Sequence, residues 1–288
     1  MNIGYIGLGL MGGPCAGHLQ KAGHTLYIWA RSREKVNAYE DAGMIWCASP
    51  AQVAEKVDVL FTNLTDTPDV ETVLLGQNGV IEGAKPGLIV VDMSTISATA
   101  TRQMAAKLKE KGVNLVDAPV SGGTQGAQNG TLTIMVGTDE DVFEKVKPVL
   151  QCMGSKVTRI GASGAGQAAK SCNQIVVTVT LMAVSEAFKL ADNLGVDKAK
   201  VREALLGGFA ASKILELHGQ RMLSGDYAPG FKTSLHVKDM NIVAGIATEL
   251  DLGMPASLIG LDLLESAMNG GYADQDSSAI YEIISKNN

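Results

Sequence analysis

The chain is poor in the residues that mark several classes of protein. Only four cysteines are present, Cys15, Cys47, Cys152 and Cys172, far apart and with no CxxC pair. That excludes a disulfide framework and fits reduced thiols in a cytoplasmic protein. The four histidines, His18, His24, His218 and His236, lack metal-ligand spacing, so no metal is expected. Positive charge is also short. With 24 Lys and Arg against 30 Asp and Glu the net charge is −6, so no nucleic-acid partner is expected and any anionic ligand must be held by local groups. The longest apolar run, Ile175 to Val184, includes two threonines and is too short to cross a bilayer, so no membrane partner is expected. MNIGYIG at the start reads as strand, without the basic head or cleavage site of a secretory signal. No repeat, low-complexity tract or run of like charge stands out.

Proline is missing from one long stretch, Ser163 to Gly195, whose three glycines lie at its ends and whose remainder is filled by Ala, Val, Leu and Met. A helix roughly 45 Å long is the natural reading, enough to pass from one domain to another. Gln167, Lys170, Ser171, Asn173, Gln174 and Thr178 recur at three- and four-residue steps along its first half, amid apolar neighbours. Lys170 is the one charge between Ser163 and Ser185. Two readings stand at this point: a functional ammonium, or a lysine that snorkels from a half-buried helix.

Strands and helices alternate up to about residue 162. Ile3 to Ile6 is a short apolar strand that runs into Gly7-Leu8-Gly9-Leu10-Met11-Gly12 and then a helix to about Ala22. Strand, GxGxxG turn and helix form the dinucleotide-binding context: Gly7 for the tight turn, Gly9 for close approach of a pyrophosphate, Gly12 for helix packing. A plain β-α turn is the bland alternative. The next strand, Thr25 to Ala30, ends in Arg31-Ser32-Arg33 with no acid before Glu34. An acid there takes a ribose 2′-hydroxyl, whereas the two arginines suit a 2′-phosphate or are ordinary solvated charge; NADP is favoured, with NAD possible.

A helix from Glu34 to Ala42, a strand at Met44 to Cys47 and a helix opened by Ser49-Pro50 follow. Strands Asp58 to Leu64 and Leu88 to Met93 should present Asn63, Leu64 and Thr95 at their carboxyl ends, where ligands of parallel sheets lie. Ser94, Thr95 and Ser97 also suit capping of the helix that runs to Gly112. Asn114 to Val120 reads as one strand, followed by Ser121-Gly122-Gly123, which either exposes main-chain N–H groups to a small carboxylate or needs positive φ. Thr131 to Val136 and Lys156 to Ile160 are strands flanking a helix from Asp139 to Met153. The fold class is thus α/β, a doubly wound Rossmann-type sheet over residues 1–162, the long helix at 163–195, and an all-helical domain at 196–288 with segments Asp197 to Leu206, Ser212 to Leu223, Leu235 to Leu252 and Ala256 to Asn269. Apolar faces at Ile242 to Leu252 and Leu258 to Met268 point to subunit contact, a homodimer or homotetramer.

Four motifs in order then carry a resemblance that runs from end to end. Ile6 to Pro14, Asp117-Ala118-Pro119-Val120-Ser121-Gly122-Gly123, Gly166 to Asn173 with its Gly-x-x-x-Lys-x-x-Asn spacing, and Lys238-Asp239 resemble the 3-hydroxyacid (β-hydroxyacid) dehydrogenase family. Leu206 to Ala210, Pro229 to Lys232 and Leu235 to Asp239 look most like its 2-hydroxy-3-oxopropionate (tartronate semialdehyde) reductase branch. Cys15, Thr65 and Gln174 depart from the usual Met, Pro and second Asn. The resemblance implies Lys170 as general acid in reduction, Asn173 holding substrate or orienting Lys170, and Ser121, Gly122 and Gly123 on a carboxylate. It further implies Lys238 on the cofactor and Asp239 paired with Lys170 or touching substrate. Phe231 is a cleft wall or a core aromatic. The implied partner is a small carboxylate semialdehyde or hydroxyacid. A 3-hydroxyisobutyrate dehydrogenase or a succinic semialdehyde/glyoxylate reductase on the same scaffold is the alternative, and a non-catalytic NADP-binding sensor is the alternative of another class. Imine reduction fits poorly, since that branch generally lacks the lysine.

Overall fold

A computed structural model describes residues 1–286. The chain divides into two compact units, Met1–Lys170 and Ser171–Asn288.

In the first unit β1 (Asn2–Ile6), α1 (Gly12–Lys21), β2 (Thr25–Trp29), α2 (Asn37–Asp41), β3 (Ile45–Trp46), α3 (Pro50–Ala54) and β4 (Val59–Thr62) open the chain. They are followed by α4 (Thr67–Leu75), α5 (Val80–Gly83), β5 (Ile89–Asp92), α6 (Ala98–Lys109), β6 (Asn114–Asp117), β7 (Val120–Ser121), α7 (Gly123–Asn129), β8 (Leu132–Gly137), α8 (Glu140–Leu150) and β9 (Gly154–Gly161). The sheet order is β3-β2-β1-β4-β5-β6, all parallel, after which β8 runs antiparallel to β6 and β7 and parallel to β9. The order reverses between β1 and β4, and the crevice at such a point is where a dinucleotide sits.

Period-2 alternation buries both faces of the sheet. Ile3, Tyr5, Ile28, Phe61, Val91, Val116 and Ile134 enter one core, while Ile6, Leu60, Val90 and Leu115 enter the other. Tyr5 and Phe61 stack across β1 and β4 with centroids 5.8 Å apart. Helices on both faces cover apolar strands, the doubly wound arrangement.

Several details differ from expectation, helices α5 and α7 among them. The single strand Asn114 to Val120 is two, β6 and β7, because Ala118-Pro119 interrupts the ladder; Pro has no N–H to give. The helix expected from Glu34 to Ala42 begins as a 3₁₀ turn, Arg33–Val36, before α2. Helix α4 was unanticipated: Asp66 caps it by accepting from Thr67 N at 2.6 Å, and Val70, Val73 and Leu74 are its buried face.

The long helix α9 (Ala165–Asn193) is unbroken. In the second unit it is joined by α10 (Lys198–Leu206), α11 (Lys213–Ser224), α12 (Thr233–Glu249), α13 (Pro255–Ala267) and α14 (Ile280–Lys286), the last also unanticipated. Leu181, Val184 and Phe188 of α9 pack with Leu215, Met222, Val237, Val243, Leu264, Ile280 and Ile284. By length and apolar composition α9 is long and apolar enough to cross a bilayer, which the shorter run Ile175 to Val184 did not foretell. Its buried polar side chains are spent inside the protein, however: Thr178 shares a 2.8 Å bond with His236, and Ser185 donates to the Leu181 carbonyl.

The first glycine turn is closed by steric necessity. A Cβ on Gly12 would lie 1.9 Å from the Gly7 carbonyl oxygen, and Gly7 itself has φ +98°. Gly12→Ala should therefore lower stability by about 1–3 kcal/mol, the usual cost of overpacking. The measurement is the thermal midpoint of the intact chain, and an unchanged midpoint would show that the turn relaxes.

Candidate active site

The carboxyl ends of β1, β2, β4 and β5 gather the cofactor candidates. A Cβ on Gly9 would meet nothing within 4 Å, so the main chain at Gly9 faces open space. Helix α1 begins there with no acidic residue in its first turn and no side-chain cap, as an anion requires. Leu10 is exposed, Leu8 is buried and Met11 is half-buried. These features fit a pyrophosphate.

Ser32 precedes the 3₁₀ turn, and the flanking arginines are engaged on the surface. Arg31 Nη2 lies 2.6 Å from Asp69 Oδ1 at the start of α4. Arg33 pairs with Glu40, donates to Asn37 Oδ1 at 3.0 Å and lies over the Trp46 ring at 4.6 Å. A 2′-phosphate there would exchange with Asp69 and Glu40.

Behind this edge a buried polar network joins the strand ends. Asp92 Oδ1 accepts from Thr62 Oγ1 (2.8 Å), Ser94 N (3.2 Å) and Ser94 Oγ (2.6 Å), and Ser94 Oγ accepts from Leu64 N at 2.8 Å. Asn63 continues β4 by donating its N–H to the Ile6 carbonyl at 2.9 Å. Burial pushes the Asp92 carboxyl up to about 6, against the three bonds that favour its charge. Asp117, in register with Asp92 on the neighbouring strand, is raised as well, first by burial.

Asp117 Oδ1 accepts from Gly164 N at 2.7 Å and Oδ2 from Gln167 N at 3.0 Å, so it caps α9. Gln167 returns to the sheet: Oε1 accepts from Ile96 N at 3.1 Å and Nε2 donates to Ser94 O at 2.8 Å, on either side of Thr95. Lys170, one turn on, is 8% exposed.

The glycines of Ser121-Gly122-Gly123 both take positive φ, +133° and +60°, and open α7 from the end of β7. Ser121 is half-buried, whereas Gly122 and Gly123 are exposed. His18 Nε2 ties α7 to α1 by donating to the Ala127 carbonyl at 3.0 Å.

In the second unit Asp239 is 3% exposed and takes Lys238 Nζ on Oδ1 and Gln174 Nε2 on Oδ2, each at 2.7 Å. Asn173 is half-buried beside Gln174. Phe231 is half-buried with its ring 5.1 Å from that of His236. Its backbone N–H donates to Asp276 Oδ2 at 3.0 Å. Burial opposes the charge of Asp276, but bonds from His218 and Ser278 hold its carboxyl well below the usual range.

Comparison with known proteins agrees with this arrangement. Residues 2–161 match the family described as the NAD binding domain of 6-phosphogluconate dehydrogenase, and residues 164–284 the NAD-binding domain of NADP-dependent 3-hydroxyisobutyrate dehydrogenase. The chain is 42% identical to the 2-hydroxy-3-oxopropionate reductase of Escherichia coli (strain K12), covering 99% of this chain and 97% of that one. It belongs to the 3-hydroxyacid dehydrogenase family. It is also 36% identical to the 2-(hydroxymethyl)glutarate dehydrogenase of Eubacterium barkeri over 98% of this chain and 94% of that protein. A solved 3-hydroxyisobutyrate dehydrogenase of Mycobacterium tuberculosis with L-serine superposes with a TM-score of 0.91 at 30% identity, covering 98% of each chain.

As a member of that family the chain is an NAD(P)-dependent oxidoreductase of 3-hydroxyacids. The sequence pointed to its glycine turn and polar stripe, but not to Asp69, Asp92, Asp276 or the roles of Asp117 and Gln167. Each of these acts on a group distant in sequence. Asp117 was legible only as part of a motif, and Gln167 only as part of a stripe.

Two predictions follow from the charges. Replacing Asp69 by Asn frees Arg31 and removes a negative charge beside it, so if Arg31 takes the 2′-phosphate NADPH should bind several-fold more tightly while NADH stays within about 2-fold. Fluorescence titration of both nucleotides decides this, and equal shifts would detach Asp69 from 2′ recognition. The second concerns pH. A carboxyl raised in the folded state contributes stability below its unfolded value that is lost as pH rises through the folded one. Asp92 should accordingly cost the protein up to about 3 kcal/mol as pH goes from about 4 to above 6. Melting curves of Asp92→Asn against the parent should diverge over that window, the parent falling relative to the variant.

Proposed function

We propose that the chain reduces a short 3-oxo acid, tartronate semialdehyde, to glycerate with NADPH, with Lys170 as general acid. The observation that carries this is the buried ammonium of Lys170, one turn beyond a glutamine that clasps the Thr95 loop at the end of β5. The similarity to the E. coli reductase, at 42% over nearly the full length, supports the choice of substrate.

Bound NADPH would supply the hydride. Reduction of an aldehyde leaves an alkoxide, which is costly in a closed apolar cleft unless a proton arrives with the hydride. Lys170 is read as giving that proton from Nζ to the carbonyl oxygen, and as taking it back in oxidation. Asn173, three residues on along the same helix, is assigned to hold the substrate hydroxyl or to orient Nζ. The Ser121-Gly122-Gly123 segment is assigned to the carboxylate, Phe231 to a wall of the substrate site, and Asp239 to substrate contact. Among the cofactor contacts we place Gly7, Leu8, Gly9, Leu10, Met11 and Gly12 on the pyrophosphate, Arg31, Ser32 and Arg33 on the adenosine side, Asn63, Leu64 and Thr95 towards the nicotinamide, and Lys238. On this reading residues 1–162 form the nucleotide domain and 196–288 the helical one, joined by 163–195. Cytoplasmic location and a homodimer or homotetramer belong to the same reading.

Lys170→Ala should keep its NADPH affinity and lose ~10²-fold or more in turnover. Unchanged turnover refutes the role. Initial rates with tartronate, succinic and methylmalonate semialdehydes, each with NADPH and NADH, test the substrate, and a preference for methylmalonate semialdehyde would move the assignment to the 3-hydroxyisobutyrate branch.

A further inference from the structure

Gln167 is a member of the polar stripe that the proposed chemistry does not use. It is 1% exposed, and both ends of its amide are bonded to main chain: the acceptor to Ile96 N and the donor to Ser94 O. Those two groups flank Thr95, so the side chain grips the loop at its two shoulders. The backbone of Gln167 is itself fixed, its N–H held by Asp117. Ser94 in turn is held by Asp92 and receives Leu64 N. One buried network thus connects Leu64, the Thr95 loop and the first turn of α9.

Lys170 stands three residues after Gln167, a rise of about 4.5 Å on the same helix face. A proton donor must meet its acceptor within hydrogen-bond reach, and an error of about 1 Å in such geometry costs on the order of 10²-fold in rate. The amide of Gln167 sets the height and rotation of α9 against the loop that bears Thr95. A purely apolar contact would leave both free to slide, because it has no direction, whereas two bonds of opposite polarity to adjacent peptides define one register.

We propose that Gln167 is a positioning residue of the reaction: it holds Lys170 at a fixed offset from the Thr95 loop, and it acts on turnover through Lys170. This rests on the reading of Lys170 as the general acid. Gln167→Met keeps the length and loses the fork; Gln167→Glu keeps the shape and the acceptor for Ile96 N but loses the donor to Ser94.

The test is a double-mutant cycle of Gln167→Met with Lys170→Ala in the intact enzyme. It follows kcat, the solvent deuterium isotope effect, the Kd for NADPH by fluorescence and the thermal midpoint. Gln167→Met alone should lower kcat by ~10- to 100-fold with NADPH affinity within about 2-fold, and raise the solvent isotope effect as proton delivery becomes slower. In the Lys170→Ala background the same change should cost under about 2-fold, because the group it positions is gone. A full, additive loss in that background, or an unchanged kcat in the single variant, overturns the proposal. Should Gln167→Met not fold, Gln167→Glu runs the same cycle with the same outcomes. If Lys170→Ala alone keeps full turnover, the reading of Lys170 fails and the proposal with it, a failure visible in one single variant before any double variant is made.

Discussion

The carboxylate of Asp117 facing the first turn of α9 is the contact on which the arrangement depends. A helix begins with N–H groups that have no partner in the helix, and burying them without one is costly. Asp117 takes two of them, from Gly164 and Gln167, from the end of β6. This is a charge-assisted cap between a strand in the middle of the sheet and the helix that carries Lys170. The fit is close. A Cβ on Gly166 would lie 2.4 Å from the Met135 carbonyl and 2.8 Å from Asp117, so the first turn of the helix sits directly on the strand ends. The glycine at the head of the Gly-x-x-x-Lys block is explained by this approach.

The cap has an energetic consequence on the next strand. Asp92 and Asp117 are register partners on β5 and β6, both buried, and each raises the cost of ionising the other. Asp117 offsets its burial with main-chain N–H groups of α9, while Asp92 has three bonds converging on Oδ1 and a buried Oδ2 with no hydrogen-bond partner. Two adjacent carboxyls in one sheet are an unfavourable arrangement for stability alone. What they achieve is local order: the first fixes the helix start, and the second fixes Ser94, whose hydroxyl and carbonyl then hold Leu64 and Gln167.

Much of the architecture was legible because it rests on local chemistry. Glycine turns, period-2 strands and a proline-free helix each have causes within a few residues, so β1, β2, β4, β5, β8, β9 and α9 could be read directly. Helix α4 was missed because its apolar face is only Val70, Val73 and Leu74, and its signal lay in Asp66 and the following Thr67-Pro68. The break at Ala118-Pro119 was written in the proline and overlooked within an apolar run. The site was legible in part. Lys170 announces itself as a lone charge in an apolar helix, but Gln167 looks like any polar stripe residue until its partners at Ser94 and Ile96, some seventy positions away, are seen. Arg31 and Arg33 were legible as positive charge, and their pairing with Asp69 and Glu40 was not.

These pairings bear on how an acidic chain holds a polyanion. Arg31, Arg33 and Lys238, the three cations assigned to the cofactor, each have a carboxylate partner already, in Asp69, Glu40 and Asp239. On the proposed assignment, binding there would be an exchange of partners, with little long-range attraction from a chain of net charge −6. For Arg31 the exchange is cheap, since an exposed pair is worth about 0–1 kcal/mol. Asp239 is different. At 3% exposure it cannot be left without donors, and Gln174 supplies one on the second oxygen independently of Lys238. An asparagine at position 174 would be one methylene shorter, so this departure from the family has a physical reading: the longer amide reaches Asp239 and gives that buried carboxylate a second donor beside Lys238.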